Sequence, residues 1–273
     1  MIFTILGTKG GVGKSSLAIG VSIHLSKRER TLLIDGDPHV RSVELKLAPG
    51  MEHSLVDYMR GRAKWRDVVY RCSLERDGRL LYPNLAVVPA GASFLPSIGE
   101  GEGLLRGAEK LEEMLKVASK KFRYIVIDTP ASVSYEHILL TAAGDGIVYV
   151  CEANDDSILA AKATAGGMRK LLDVPPTGVV LSRIPPRVRV EPWVRKAGEI
   201  APVLGVIPFD SQLDEAFRRN LPVDAFAPES RANLAFAEIA KKLSGMKGGR
   251  VAVRERIDEA LDRIARLLEE TKK

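Results

Sequence analysis

The chain has 273 residues, 45% of them hydrophobic and 28% charged, with a formal net charge of +6 and a pI near 9.3. These proportions belong to a globular protein of one large or two small domains, and no apolar run approaches the roughly 20 residues that cross a bilayer. Two distant cysteines, Cys72 and Cys151, and four scattered histidines argue against a disulfide framework and against a Cys- or His-built metal site.

In chain order, apolar β-rich runs alternate with longer amphipathic stretches. The runs Ile2–Leu6, Thr31–Asp35, Leu85–Pro89, Tyr124–Asp128, Gly146–Cys151, Gly178–Ser182 and Val203–Ile207 read as strands. Continuous apolar runs such as Ile125-Val126-Ile127 belong to strands covered on both faces. Helical spacing is found over Lys14–Lys27, Leu104–Lys121, His137–Ala143, Ser157–Leu172, Val190–Ile200, Gln212–Asn220 and Arg231–Ser244. The alternation predicts an α/β fold: a doubly wound, mostly parallel sheet with helices on both faces over residues 1–245. Gly36–Asn84 is less regular, with a helix expected near Ser54–Gly61, and Gly91–Gly103 reads as a loop. Residues 246–249 read as a linker and 250–273 as a C-terminal amphipathic helix, with Val253, Ile257, Leu261, Ile264 and Leu268 on one face.

The N-terminal apolar run lacks a preceding basic region, so it reads as a first strand and not as an export signal, and a cytoplasmic protein is expected. Gln212 is the only glutamine, and the asparagines are Asn84, Asn154, Asn220 and Asn233. So few amides beside so many charges suggest a thermophilic source.

The chemistry is carried by Lys9-Gly10-Gly11-Val12-Gly13-Lys14-Ser15-Ser16, which follows the first strand and opens a helix. Glycines let backbone N–H groups approach phosphate oxygens, and the helix N-terminus adds its positive dipole end. Lys14 can reach the β- and γ-phosphates, and the Ser15 hydroxyl can ligate Mg²⁺. The strict phosphate-loop pattern fails at Thr8, where glycine is required, whereas the variant K-G-G-x-G-K-[ST] fits in full.

With Lys9 and Lys14 both in place, the chain resembles the ParA/MinD family of deviant Walker A ATPases. Leu32-Leu33-Ile34-Asp35-Gly36-Asp37-Pro38 is similar to that family's second strand and switch I. Asn84–Gly91 is similar to its third-strand signature, Tyr124–Ala131 to its Walker B and switch II, and Gly205–Asp210 to the late strand whose end meets adenine. The resemblance implies a Mg²⁺-dependent ATPase holding ATP or ADP between two subunits. Gly10, Gly11, Val12, Gly13, Lys14, Ser15 and Ser16 would hold the phosphates, and Ser182, Arg183, Pro208, Phe209 and Asp210 the base. Lys9 would cross to the partner's phosphates, Lys14 and Asp37 would complete the catalytic set, and Ser15, Asp37 and Asp128 would serve the metal. Where the family usually reads adenine with Asn, this chain has Ser182, which leaves ATP over GTP less firmly specified.

A homodimer in the ATP state and an activating protein partner are implied in the same way. Positioning or partition of DNA or of a protein complex is the expected task, with a nucleoid-associated location as one form of it. Nonspecific DNA is open as a partner through Arg183, Arg187, Arg189, Arg195, Lys196, Arg218 and Arg219. A membrane is disfavoured, because the last helix mixes seven basic with six acidic residues and has no Trp or Phe; it suits a protein surface better. An ATPase for metallocentre maturation, or a small-molecule kinase or ligase, is the alternative on the same fold.

Overall fold

The computed structural model describes residues 1–7, 9–37, 42–91, 102–130, 135–172, 174–248 and 252–270. The chain begins with β1 (Ile2–Gly7), α1 (Lys14–Ser26), β2 (Thr31–Asp35) and the short helices α2 (Ser42–Leu47), α3 (Leu55–Met59) and α4 (Trp65–Val68). Then come β3 (Tyr70–Arg71), a hairpin of β4 (Glu75–Arg76) and β5 (Arg79–Leu80), β6 (Leu85–Val88), α5 (Glu102–Ser119), β7 (Tyr124–Asp128) and α6 (Tyr135–Ala142). The second half holds β8 (Gly146–Glu152), α7 (Asp155–Leu171), β9 (Pro176–Ile184), α8 (Glu191–Gly198) and β10 (Val203–Pro208). It closes with α9 (Ser211–Arg218), α10 (Val223–Phe226), α11 (Arg231–Ser244) and α12 (Val253–Glu270).

All seven expected strands form, each within two residues of its expected ends. They lie in one eight-stranded sheet of order β10-β9-β8-β1-β7-β2-β6-β3, parallel except for β3, which runs antiparallel on the edge beside β6. Alternation along β1 divides the core. Phe3 and Ile5 join Leu17, Val21, Phe236 and Ile239 on one face. Ile2 faces the other way with Leu111, Leu115 and Ile257, and Leu6 with Ile138, Tyr149 and Ala161. α1 and α11 pack together over the first face, and a Cβ on Gly20 would lie 2.3 Å from the Phe236 ring, so only glycine admits this approach.

Three features depart from the sequence expectations. The irregular stretch before β6 contains α2, α4 and the β4–β5 hairpin besides the expected helix. These elements are too short to show a period; α3 is set instead by a capping box, in which Ser54 accepts from the Asp57 N–H and the Asp57 side chain accepts from the Ser54 N–H. The helix expected from Leu104 begins at Glu102, inside the stretch read as a loop, whose residues 92–101 lie outside the described set.

The last helix is also placed differently. Expected to suit a protein partner, it lies on α5 and α6 of its own chain, with Ile257, Ala260 and Ile264 buried. Arg256 on the same face is 5% exposed; it pairs with Asp145 at 3.1 Å and donates to the carbonyls of Ala142 and Ala143 at the end of α6. A cation at a helix C-terminus satisfies carbonyls left over by the helix and complements its dipole. Some of the mixed charges read from the sequence are paired along the helix itself, as in the Arg254–Asp258 and Arg263–Glu259 pairs. Among the described residues no helix is long and apolar enough to cross a membrane.

A half-buried polar knot fastens α1 to α10 and α11. Asp224 accepts from Lys27 Nζ at 2.6 Å, Tyr82 Oη at 3.0 Å and Asn233 Nδ2 at 3.1 Å, and His24 Nε2 lies 3.0 Å from Asn233 Oδ1. Burial alone would raise the Asp224 carboxyl, but Lys27, Asn233 and Tyr82 outweigh it and hold it below the usual carboxylate value. Asp224→Ala leaves these donors without their acceptor and is expected to cost about 2 kcal/mol of stability. Urea denaturation measures this, and a loss under about 1 kcal/mol would show the knot to be incidental.

Candidate functional site

The strand order reverses around β1 and β7, and ligands of such sheets bind at the carboxyl ends of the strands near that reversal. β1 ends there in the glycine-rich turn. Gly11 and Gly13 have φ of +77° and +95°, in the left-handed region that side chains disfavour, and the Gly13 carbonyl accepts the first bond of α1 from the Leu17 N–H at 2.9 Å. The two lysines of the turn part company. Lys14 is 6% exposed and its ammonium reaches the Lys9 carbonyl at 3.5 Å, whereas the Lys9 side chain is exposed and forms no ion pair among the described residues.

β2 and β7 bring two carboxylates to the same end. Asp35 and Asp128 are register partners on adjacent parallel strands, each 1% exposed. The Gly36 N–H donates to the Asp128 carbonyl at 2.8 Å, and the Asp37 N–H donates to Asp35 Oδ1 at 3.0 Å. Thr129 closes the junction by donating its hydroxyl to the Ile5 carbonyl at 2.8 Å. Burial pushes the Asp35 carboxyl well above its ordinary range, and the facing Asp128 adds to the rise. Burial likewise lifts Asp128 to about 7, assisted by Asp37 and opposed by the Ser15 hydroxyl and the Lys14 ammonium. Neither Asp128 oxygen nor Asp35 Oδ2 has a hydrogen bond of normal geometry among the described residues. Buried carboxylate oxygens left in this condition, beside a serine hydroxyl and below a phosphate-type loop, are a hard-oxygen donor set of the kind that holds Mg²⁺ through water.

A cavity of about 490 Å³ runs from this point toward the sheet edge. It gathers Gly10, Gly11, Gly13, Lys14, Ser15, Ser16 and Asp37 at one end and Ser182, Arg183, Pro208, Phe209 and Asp210 at the other, residues distant in sequence and each expected at the site. Lys9, Val12 and Asp128 are not among its lining residues.

Two of the expected base contacts have other employment. The Ser182 hydroxyl donates to the Val12 carbonyl, so its proton braces the phosphate loop. Both Asp210 oxygens are taken, by the Gln212 N–H and the Ala232 N–H at 2.9 Å each, and they cap α9 and α11. That end of the cavity is walled by Arg183, Pro208 and Phe209, joined by Leu213, Phe217 and Phe236, which sequence reasoning missed. These last three lie within the stretches Gln212–Asn220 and Arg231–Ser244, which read only as helices. Phe217 is nonetheless 49% exposed, and the Lys46 ammonium sits 3.9 Å from its ring centroid.

The basic residues considered for DNA are partly neutralised. Lys196 pairs with Asp155, Arg183 lies 3.7 Å from Glu152, and Arg218 and Arg219 both pair with Glu215 at 3.1 and 2.7 Å. Cys72 and Cys151 are both fully buried and free; burial raises both thiols, that of Cys151 to about 12, which works against a cluster held between subunits.

A parallel sheet that presents a glycine-rich loop, a lysine at the start of α1 and a buried strand-end carboxylate defines a P-loop nucleotide-binding protein. The family model described as the CobQ/CobB/MinD/ParA nucleotide binding domain matches residues 3–223, and the chain belongs to that family, which includes the MinD and ParA ATPases. An uncharacterized ATP-binding protein of Methanocaldococcus jannaschii is 29% identical over 249 residues, covering 89% of this chain and 87% of the relative. The septum site-determining protein MinD of Bacillus subtilis is 23% identical over 251 residues, 88% of each chain. Among solved structures, MinD of Pyrococcus horikoshii complexed with Mg-ADP superposes with a TM-score of 0.74 at 23% identity, covering 89% of this chain and 96% of that one.

The raised Asp128 carboxyl sets a pH dependence. A carboxylate moved from 3.8 to about 7 adds no cost to folding at low pH, where it is protonated in both states. The cost grows as pH rises through that interval and is complete above 7, at roughly 4 kcal/mol as an upper limit. Asp128→Asn should therefore melt higher than the unsubstituted protein without nucleotide, by little at pH 4.5 and by most at pH 8. A gap that stays constant over that range in calorimetry would mean that Asp128 is not the strained group.

Proposed function

We propose that the protein is an ATP-dependent dimerising switch that hydrolyses ATP to ADP and phosphate and, through its two states, positions or partitions a cargo. The observation that carries this reading is the division of labour between the two loop lysines. Lys14 is buried against its own loop, within reach of phosphates held there, while Lys9 is exposed and forms no ion pair among the described residues. A cation so placed serves a phosphate bound by a second copy of the chain, as an arginine finger does. Hydrolysis would then require two subunits.

The remaining roles follow from phosphoryl-transfer chemistry. The N–H groups of residues 10–16 cradle the phosphates, and Lys14 neutralises charge on the β- and γ-groups. Asp37, half-buried at the end of β2 and held by Asp35, positions the attacking water. Ser15 and Asp128 would hold Mg²⁺, with Asp37 within the same group, and the ion would supply positive charge to the phosphate oxygens. Aromatic and aliphatic walls at Phe209, Phe217 and Leu213 suit a flat base, and their apolar character sets stacking above hydrogen-bond readout. An activating protein partner and a cytoplasmic or nucleoid-associated location belong to the same proposal.

Solution mass measured with ATP and with ADP tests it. The unsubstituted protein should double its mass with ATP and not with ADP; Lys9→Ala should stay monomeric, and Asp37→Ala should hold the dimer while losing at least ~100-fold in turnover. An unchanged mass in all three proteins would sink the switch and favour a kinase or ligase that works without a second subunit.

A further inference from the structure

A second cavity, also of about 490 Å³, opens at the other end of the sheet, where β2, β6 and β7 begin. Five-residue strands separate it from the phosphate loop by roughly 15–20 Å. Its walls carry four cations, Arg30, Arg66, Arg71 and Lys121, and three aromatic side chains, Trp65, Tyr70 and Phe122. No carboxylate lines it. None of the four cations makes an ion pair among the described residues, in contrast to Arg183, Lys196, Arg218 and Arg219 near the nucleotide end.

The cavity is held open by ordinary structure. The Arg30 carbonyl accepts from the Arg123 N–H at 2.8 Å, which ties the turn after α1 to the turn after α5 and brings their cations together. The Arg30 guanidinium lies 5.4 Å from the Phe122 centroid, so a buried ring supports it from behind. Tyr70 is pinned by its hydroxyl, which bonds the His53 backbone at both N–H and carbonyl. The contributing segments 28–30, 65–71, 83–86 and 120–123 hold seven basic residues and two acidic ones, Glu29 and Asp67. The Asp67 carboxylate is committed to the Lys64 N–H at 2.9 Å.

We propose that this cavity binds a nucleotide unit, its phosphate held by Arg30, Arg66, Arg71 and Lys121 and its base laid against Trp65 and Tyr70. The volume fits one such unit, and the pairing of uncompensated cations with aromatic faces is what unpaired bases on a phosphate backbone require. A single nucleic-acid strand supplies the unit with phosphates on both sides, and a free nucleotide supplies it alone. Duplex DNA hides its base faces and would gain only the phosphate contacts. The inference stands on its own, independent of the switch at the phosphate loop.

The protein contains two tryptophans, Trp65 and Trp193, so Trp193→Phe leaves Trp65 as the one reporter. Its emission is followed on adding oligouridylate, UMP, a blunt duplex and heparin. Quenching by oligouridylate, weakening as salt rises and stronger than any quenching by duplex or heparin, is the expected result. Quenching by UMP at comparable concentration would identify the free nucleotide as the source, and quenching by the oligomer alone would identify a strand. Arg66→Glu combined with Arg71→Glu should lower affinity at least ~10-fold and leave ATP hydrolysis unchanged, whereas Arg218→Glu with Arg219→Glu should change it less than about twofold. Absent quenching, equal response to duplex, or quenching indifferent to the Arg66 and Arg71 reversal would overturn the assignment, and none of these results bears on ATP-driven dimerisation.

Discussion

Two carboxylates buried side by side at the ends of β2 and β7 are the constraint around which the site is built. Asp35 and Asp128 are register neighbours in the sheet interior, and both are pushed toward the neutral form by burial. Such a pair is tolerated only where nearby groups favour its charge, and here the Lys14 ammonium and the Ser15 hydroxyl do so for Asp128. The junction is stitched by the Gly36 N–H on the Asp128 carbonyl and by Thr129 on the Ile5 carbonyl, so the carboxylates cannot turn away into water. A fold that buries two carboxyl groups below a phosphate-type loop is poised to gain from a cation there, because their desolvation cost is already met before the ligand arrives.

The helices divide between two tasks. α1 and α11 press against one face so closely that Gly20 meets the Phe236 ring, and Phe236 in turn lines the nucleotide cavity. Packing of the core thus shapes the wall of the site. On the opposite face, α12 is latched through Arg256 to Asp145 and to the last carbonyls of α6. Asp145 also accepts from the Ile2 N–H, so one carboxylate ties the start of β1 to the last helix. Ile257 and Ile264 of the apolar stripe read from the sequence, with Ala260, are buried inside the molecule.

Charge is unevenly employed. Near the nucleotide end, cations are balanced by Glu152, Asp155 and Glu215, and exposed pairs of this kind contribute little to stability while muting the local field. At the opposite end of the sheet, Arg30, Arg66, Arg71 and Lys121 surround a cavity without a counter-charge. A net charge of +6 says nothing about such a division, which depends on which carboxylates fold up beside which cations.

The strands, the long helices and the phosphate loop were legible in the amino-acid order, because each is a local pattern: unbroken apolar runs, a 3.6-residue period, and glycines at required spacing before Lys14 and Ser15. That Asp35 and Asp128 end strands, with Asp37 just beyond, was legible too, since the apolar runs before them could lie only in a sheet covered on both faces. Short elements such as α2 and α4 were not, having too few residues to show a period, nor was the capture of α12 by its own chain, which depends on Asp145 lying 111 positions before Arg256. Tertiary structure alone decided that Ser182 and Asp210 spend their polar atoms on the protein, that Phe217 and Leu213 wall the cavity, and which carboxylates meet Arg183, Arg218 and Arg219. The reason is common to all of these. A hydrogen bond or an ion pair is settled by the partner that arrives within about 3 Å, and sequence spacing does not carry that distance across separate elements.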